Sequence, residues 1–205
     1  MTLGMEPYRY ECVAGWGKIP EYFQITGLGP TDTGGIVDVA CDSRDRVYAL
    51  CRGNHPVLIF DGEGNFISCW GEAHFRWPHG IHIDQEDNVY VVDAQTHTVE
   101  KFTLGGELLM TLGTRNWAIT TRRGEPFNMP TSLTVAPDGS LFVTDGYGNR
   151  RVHKFSPTGR LLASWGEPGS GPGQFGLPHF AAVDRHGTVY VCDRDNMRVQ
   201  LFNSE

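Results

Sequence analysis

The chain has 205 residues, of which 40% are hydrophobic and 20% charged, so it should fold around a core rather than stay disordered. Its formal net charge of -7 argues against a nucleic-acid-binding protein, because such proteins usually carry a basic face. The first ten residues lack the apolar core of a signal peptide, and no apolar run of about eighteen residues follows, so a cytoplasmic protein without membrane contact is expected.

The five cysteines are an odd number, and none belongs to a Cys-x-x-Cys pair. Their spacing is irregular. Neither a disulfide framework nor a metal-thiolate site is therefore expected.

Residues 8–17 are the first predicted element, and they end in Trp16-Gly17. The last strands of three later repeats end in the same way, with Trp-Gly or Leu-Gly. The segment is therefore interpreted as the outer strand of a blade whose other strands do not precede it in the chain.

A pattern of four strands then repeats along the chain. Its second strand is an apolar run after a polar turn, and the four copies start 42, 52 and 48 residues apart: Val47–Cys51, Val89–Asp93, Leu141–Asp145 and Val189–Asp193. A segment ending in Phe follows each run, and three copies continue through a glycine turn into a fourth strand. Such repeats predict an all-β protein, a β-propeller of four-stranded blades in a single domain. The predicted blades span about residues 36–71, 79–113, 131–166 and 179–203.

Two arrangements of these blades are compatible with the sequence. Residues 8–17 could close the last blade and give a four-bladed ring, or the chain could be an arc of a six-bladed propeller. We expect the arc, whose open blade edges would favour self-association.

Two histidines occupy matching positions in alternate blades. His79 and His179 each follow a proline and start the innermost strand, which lines the central channel. In a six-bladed ring, alternate blades lie about 120° apart, so three such histidines would meet at the axis. Three His ligands are typical of a catalytic zinc site, although the third position would lie beyond residue 205. In a four-bladed ring the pair would instead face each other across the channel.

Polar side chains are also predicted at the ends of the second strands, which share a face with the histidines. Arg52 and Arg194 occupy matching positions in the first and fourth blades, and Tyr147 directly follows the matching position in the third blade. The arginines could bind a carboxylate, and the tyrosine could act as acid or base. A structural interpretation stays open, with the histidines as hydrogen-bonding groups and the arginines as ion-pair partners of Asp193 or Asp195. Turn and hydrogen-bonding roles are expected for Asp93, Asp145 and Asp193, and surface or packing roles for His55, His74, His82, His97, His153 and His186.

The repeats resemble NHL repeats, in the phrases Pro78-His-Gly-Ile81, Asn88-Val-Tyr-Val-Val-Asp93 and Val99-Glu-Lys-Phe102. From about residue 36 onward, the chain more narrowly resembles the bacterial type of peptidyl-α-hydroxyglycine α-amidating lyase. The motifs that carry this resemblance are Arg52-Gly-Asn-His55, Pro78-His79-Gly80, Asp145-Gly-Tyr147-Gly-Asn149-Arg150, Pro178-His179 and Asp193-Arg194-Asp-Asn196.

This resemblance implies a zinc lyase on a six-bladed propeller, which splits a peptidyl-α-hydroxyglycine into a peptide amide and glyoxylate. It implies zinc binding by His79 and His179, with a third histidine in a blade after residue 205, so the chain is expected to be C-terminally incomplete. It also implies that Tyr147 is the base and that Arg52 and Arg194 bind the substrate carboxylate and the zinc-facing oxygen. The backbone carbonyls of Val39 and Ile81 would bind a structural calcium ion.

The lyase hypothesis has an alternative of another class, a non-catalytic NHL propeller that binds a peptide or protein partner. RNA binding, the third possibility, is disfavoured by the net charge of -7. The first hypothesis places a peptide or small-molecule substrate at the channel mouth.

Overall fold

The computed structural model describes residues 2–21, 35–119 and 127–204, and it confirms the predicted all-β propeller. Within these residues the one helical element is a 3-10 turn, Arg194–Asn196, and no helix is long and apolar enough to cross a bilayer. All five cysteines are free thiols. The strands are β1 (Thr2–Met5), β2 (Tyr8–Glu11), β3 (Ile36–Cys41), β4 (Val47–Cys51), β5 (Val57–Phe60), β6 (Phe66–Trp70), β7 (Pro78–Ile83), β8 (Val89–Asp93), β9 (Thr98–Phe102), β10 (Leu108–Leu112), β11 (Ser132–Val135), β12 (Leu141–Asp145), β13 (Arg151–Phe155), β14 (Leu161–Trp165), β15 (Pro178–Val183), β16 (Val189–Asp193) and β17 (Arg198–Phe202).

Consecutive strands form the blades, and all pairings within a blade are antiparallel. Blades one to three contain four strands each, β3–β6, β7–β10 and β11–β14, and blade four contains β15–β17. The inner strands contact one another in chain order, β3 with β7, β7 with β11 and β11 with β15. The blades are therefore successive neighbours, and the starts of their inner strands come together at one mouth of the channel.

In three of the four blades, the polar turn before the second strand is built around an aspartate. In blade two, Asp84 Oδ1 accepts hydrogen bonds from the amides of Glu86 (3.0 Å) and Asn88 (2.8 Å), and Oδ2 accepts one from the Tyr90 hydroxyl (3.1 Å). One carboxylate thus fixes the turn and the strand after it, which is why Asx turns suit this position. Corresponding bonds to two turn amides are made by Asp42 and Asp184.

The residue before the terminal glycine of a blade packs on the next blade. The Trp70 ring of blade one lies 5.1 Å from the Phe102 ring of blade two. Gly106 is required there, because a Cβ at this position would lie 2.7 Å from the Trp70 ring. Leu112 packs with Phe155, and the rings of Trp165 and Phe202 are 5.6 Å apart, so the contact repeats between blades two and three and between three and four.

The N-terminal segment makes the same contact with blade one. The Trp16 ring lies 5.9 Å from the Phe60 ring, and the Trp16 indole donates a hydrogen bond to the Gly62 carbonyl (3.1 Å). Trp16 therefore has the position of an outer-strand end from a preceding blade. The alternative in which residues 8–17 close blade four is wrong, because β2 pairs with β1 and the described residues give β17 one strand partner, β16.

Asp93, at the end of β8, illustrates the structural role expected for the repeated aspartates. Its carboxylate accepts hydrogen bonds from the amides of Arg76 (2.6 Å) and Trp77 (3.1 Å) before β7, and from two amides of the turn after β8. The residue is 1% exposed. It therefore ties the approach to the inner strand to the end of the second strand.

Asp93→Ala is expected to lower the free energy of unfolding by about 2–4 kcal/mol, since four backbone amides lose their acceptor. Urea unfolding measures this change. The matched control is Asp138→Ala, which removes an exposed carboxylate bonded to Ser140, and about 1 kcal/mol or less is expected for it. Equal losses in the two variants would contradict the role assigned to Asp93.

Candidate functional site

The two predicted histidines meet at the channel mouth. His79 lies on the inner strand of blade two and His179 on that of blade four, and their ring centroids are 4.8 Å apart. Both direct Nε2 toward the hydroxyl oxygen of Tyr147, at 2.9 Å for His79 and 3.1 Å for His179. The structure thus brings three of the predicted site residues, from three different blades, to one point.

Tyr147 is positioned by its neighbours in the turn after β12. A Cβ at Gly146 would lie 2.2 Å from the Pro178 carbonyl oxygen, so only glycine lets this turn approach blade four so closely. The Tyr147 ring stacks on Trp77 of blade two, with centroids 5.7 Å apart and planes at 26°. This packing sets the ring plane and leaves the hydroxyl group facing the histidines.

His79 is held in one orientation by its second ring nitrogen. Its Nδ1 lies 2.7 Å from the Thr131 carbonyl oxygen, which can only accept, so Nδ1 carries the proton and Nε2 the lone pair. The Thr131 hydroxyl contacts the Pro178 carbonyl (3.0 Å), which links this support to blade four. A carbonyl behind Nδ1 is the usual partner of a metal-ligating histidine.

Both imidazoles are neutral at pH 7. Burial lowers the pKa of His79 to about 4, against the opposing effect of its hydrogen bond to Thr131, and the charges of Arg52 and Arg194 contribute to the lowering. Burial also lowers the pKa of His179, as does Arg194. Neutral imidazoles are the form that binds metal ions.

Two guanidinium groups flank this aromatic cluster. Arg52 lies over the Trp77 ring at 4.6 Å, and its Nε donates to the Pro78 carbonyl (3.2 Å). Arg194 lies 5.9 Å from the centre of the Tyr147 ring and pairs with Asp195 (3.1 Å), as the structural interpretation anticipated. Arg194 is the more accessible, with 53% of its side chain exposed. The mouth therefore carries two guanidinium groups beside the Trp77 and Tyr147 rings, and the charge of one is offset by Asp195.

The backbone at Val39 and Ile81 converges on a carboxylate that sequence reasoning missed. The amides of Val39 and Ile81 each donate to Asp38 at 2.9 Å, on the open inner edges of β3 and β7. Because the N–H and C=O of one strand residue point to the same side, the two carbonyls also face this edge. Burial raises the pKa of Asp38, whereas a nearby cation would lower it. Carbonyl and carboxylate oxygens are the ligands that calcium prefers.

Several remaining histidines have hydrogen-bonding roles in the blades. His153 is 1% exposed and lies 2.7 Å from the Ser164 hydroxyl and 3.3 Å from the Asp145 carboxylate. His74 bonds to the buried Glu100 at 2.7 Å. Sequence reasoning also missed Trp77 and Thr131 as parts of the site, although Trp77 directly precedes the Pro-His pair and Thr131 occupies the position in blade three that corresponds to His79 and His179.

Comparisons with known proteins identify the NHL repeat in this chain and find two kinds of relative. The family model described as NHL repeat matches residues 127–155 and 175–202. NHL repeat-containing protein 3 of Homo sapiens is 34% identical over 98% of this chain, which spans 58% of that protein. Peptidyl-alpha-hydroxyglycine alpha-amidating lyase 1 of Drosophila melanogaster is 37% identical over 80% of this chain and 32% of its own length.

Solved structures support the fold alone. The WD40 β-propeller domain of Doa1 matches with a TM-score of 0.65 and 13% identity, over 83% of this chain and 51% of that one. The chain thus spans about half the length of NHL repeat-containing protein 3 and of the Doa1 domain.

Proposed function

Since the chain is an NHL-repeat β-propeller that resembles peptidyl-α-hydroxyglycine α-amidating lyase, we propose that it is a metal-dependent lyase acting on a peptidyl-α-hydroxyglycine. The observation that carries the proposal is the convergence of His79 and His179 on the Tyr147 hydroxyl. The guanidinium groups of Arg52 and Arg194 beside these rings add the anion-binding element that such a substrate requires.

His79 and His179 would hold the zinc ion. Their fit to zinc rests on two neutral imidazoles that direct Nε2 to one point, and on the carbonyl that fixes the His79 tautomer. When bound, zinc would supply Lewis-acid polarisation of the substrate hydroxyl oxygen. The carbonyls of Val39 and Ile81, with the Asp38 carboxylate beside them, would bind a structural calcium ion.

Tyr147 is the group that moves the proton. Its oxygen accepts the proton of the substrate hydroxyl, the carbon–oxygen double bond of glyoxylate forms, and the carbon–nitrogen bond breaks. The electron pair of that bond goes to the amide nitrogen, which takes up a proton from the Tyr147 hydroxyl and leaves as the peptide amide, so the phenol ends with the proton that the substrate hydroxyl gave. The reaction involves no net oxidation and no organic cofactor. The oxygen that carries out this proton transfer is the Tyr147 hydroxyl oxygen, on which both imidazoles converge.

Arg52→Gln is expected to raise KM by about 10- to 100-fold, because a charge-assisted hydrogen bond to the substrate carboxylate is lost. The fall in kcat should be smaller, since Arg52 is assigned to binding. A substrate whose terminal carboxylate is replaced by a primary amide tests the assignment, because Arg52→Gln should erase most of the preference for the carboxylate. Steady-state glyoxylate formation gives both constants.

Arg151→Gln is the matched control for this prediction, since Arg151 bonds to Ser164 on the outer strand of blade three. It should leave the preference for the carboxylate unchanged. A preference that persists in Arg52→Gln would remove Arg52 from substrate binding.

The first test of the proposal as a whole is glyoxylate release from a synthetic peptidyl-α-hydroxyglycine by the zinc-loaded protein. The alternative is a non-catalytic propeller that binds a peptide or protein partner, and it stands beside the lyase because NHL repeat-containing protein 3, matched over 98% of the chain, carries no enzyme name. Stoichiometric binding of the peptide without glyoxylate release would support that alternative and contradict the lyase. Release above the rate with zinc alone would support the lyase.

A further inference from the structure

A second group of metal-binding side chains lies on blade one, away from the inner strands. His55 belongs to the turn between β4 and β5, Cys69 to the outer strand β6, and Glu72 to the segment just after it. The Cys69 Sγ lies 3.6 Å from His55 Nδ1 and 3.6 Å from Glu72 Oε1. The remaining distance, between His55 Nδ1 and Glu72 Oε1, is 2.6 Å. We call these three residues the rim cluster.

The fold of blade one determines this meeting. β5 pairs with β6 in a register that places Leu58 opposite Cys69, so the turn before β5 returns beside the end of β6. The buried Cys51 holds that turn, because its thiol contacts the His55 carbonyl (3.0 Å) and its amide donates to the Pro56 carbonyl (2.7 Å). The His55 ring is therefore presented to Cys69 by packed strands.

The spacing of the three donor atoms matches a tetrahedral metal site. For zinc bonds of about 2.3 Å to sulfur and 2.0–2.2 Å to nitrogen or oxygen, tetrahedral geometry separates sulfur from either donor by about 3.6 Å. Both sulfur distances in the rim cluster have this value. The nitrogen and oxygen, now hydrogen-bonded, would separate to about 3.4 Å. We propose that His55, Cys69 and Glu72 form a binding site for a divalent transition metal of the zinc type.

The composition and exposure of the cluster favour this class of metal. Thiolate and imidazole ligands select zinc-like ions over magnesium or calcium. An ion pair between His55 and Glu72 would not by itself place a thiol at equal distances from both groups. The side chains of His55 and Glu72 are 33% and 50% exposed, which leaves a path for the ion and for a water molecule as fourth ligand. Binding would displace the Cys69 thiol proton to solvent.

Titration of the purified, reduced chain with Co²⁺ tests the proposal. A thiolate bound to Co²⁺ gives a near-ultraviolet charge-transfer absorption, whereas the channel histidines cannot produce this signal. The absorption is expected to saturate at about one ion per chain when the channel histidines are replaced by alanine, and to disappear in Cys69→Ser and in His55→Ala. Addition of Zn²⁺ should abolish it by displacement.

Matched variants separate the rim cluster from the other cysteines and from the channel. Cys41→Ser and Cys192→Ser should retain the absorption, and so should the double variant His79→Ala/His179→Ala. Thermal unfolding of each variant without metal verifies that it is folded. Absence of the absorption in the unmodified chain, or its persistence in Cys69→Ser, would overturn the proposal. Neither result would bear on the lyase proposal, which involves no cysteine.

Discussion

Tyr147→Phe is expected to lower the turnover of a peptidyl-α-hydroxyglycine by about 10²- to 10⁴-fold, the usual contribution of a general acid–base group. Phenylalanine keeps the ring that stacks on Trp77 at 5.7 Å, so the shape of the channel mouth should be preserved. It removes only the oxygen that lies 2.9 Å from His79 and 3.1 Å from His179. Glyoxylate release at saturating substrate measures the change.

Tyr90→Phe is the matched control for this substitution. It makes the same chemical change on β8, where the hydroxyl bonds to Asp84 in a turn at the other end of the strand. Its turnover should equal that of the unmodified protein, apart from a modest loss of stability from one hydrogen bond. Undiminished turnover in Tyr147→Phe would exclude the phenol as the base, while a similar loss in both variants would point to a general structural effect.

The fold could be predicted because the blades share one short-range sequence pattern, which repeats along the chain. The run Val89–Asp93 is buried along its whole length, and its flanking turn is fixed by Asp84 through bonds to residues two and four positions later. These are short-range rules, so their repetition is visible without a structure. The pairing of residues 8–11 could not be predicted in this way, because β1 carries no repeat signal of its own.

The candidate site could be predicted only in its repeat-related members. His79 and His179 stand out because they share a blade position, and Tyr147 because it adjoins another such position. The carbonyl of Thr131 that fixes His79 is a backbone group 52 residues away, so no side-chain pattern identifies its role. Asp38, in contrast, could have been identified from the sequence, because it is an acidic residue within the otherwise apolar strand Ile36–Cys41.

The proposed rim cluster could not be predicted from the sequence for a different reason. The expectation of no metal-thiolate site came from the absence of a Cys-x-x-Cys pair, a rule for ligands close together in sequence. In this chain the register between β5 and β6 supplies the proximity instead. Cys69 and His55 lie 14 residues apart, and only the pairing of those strands brings them within 3.6 Å.

The double variant His79→Ala/His179→Ala is expected to abolish both zinc binding in the channel and glyoxylate release. The two Nε2 atoms are the groups assigned to hold the ion, and alanine leaves neither. Metal content is best measured in a Cys69→Ser background, so that zinc at the rim cluster does not obscure the result. In that background, about one zinc per chain should fall to none after dialysis against zinc-free buffer.

The matched control is His82→Ala, which removes a half-buried imidazole from the same inner strand, near its far end. Its burial resembles that of His79, and burial likewise lowers the pKa of His82, but its ring faces Tyr90 rather than Tyr147. Zinc content and turnover should therefore match those of the Cys69→Ser parent. If the double variant keeps its zinc while it remains folded, the channel histidines are hydrogen-bonding groups only. The lyase proposal then fails. Tyr147 and the arginines could still contact a substrate, but the channel would hold no zinc ion to polarise the substrate hydroxyl group.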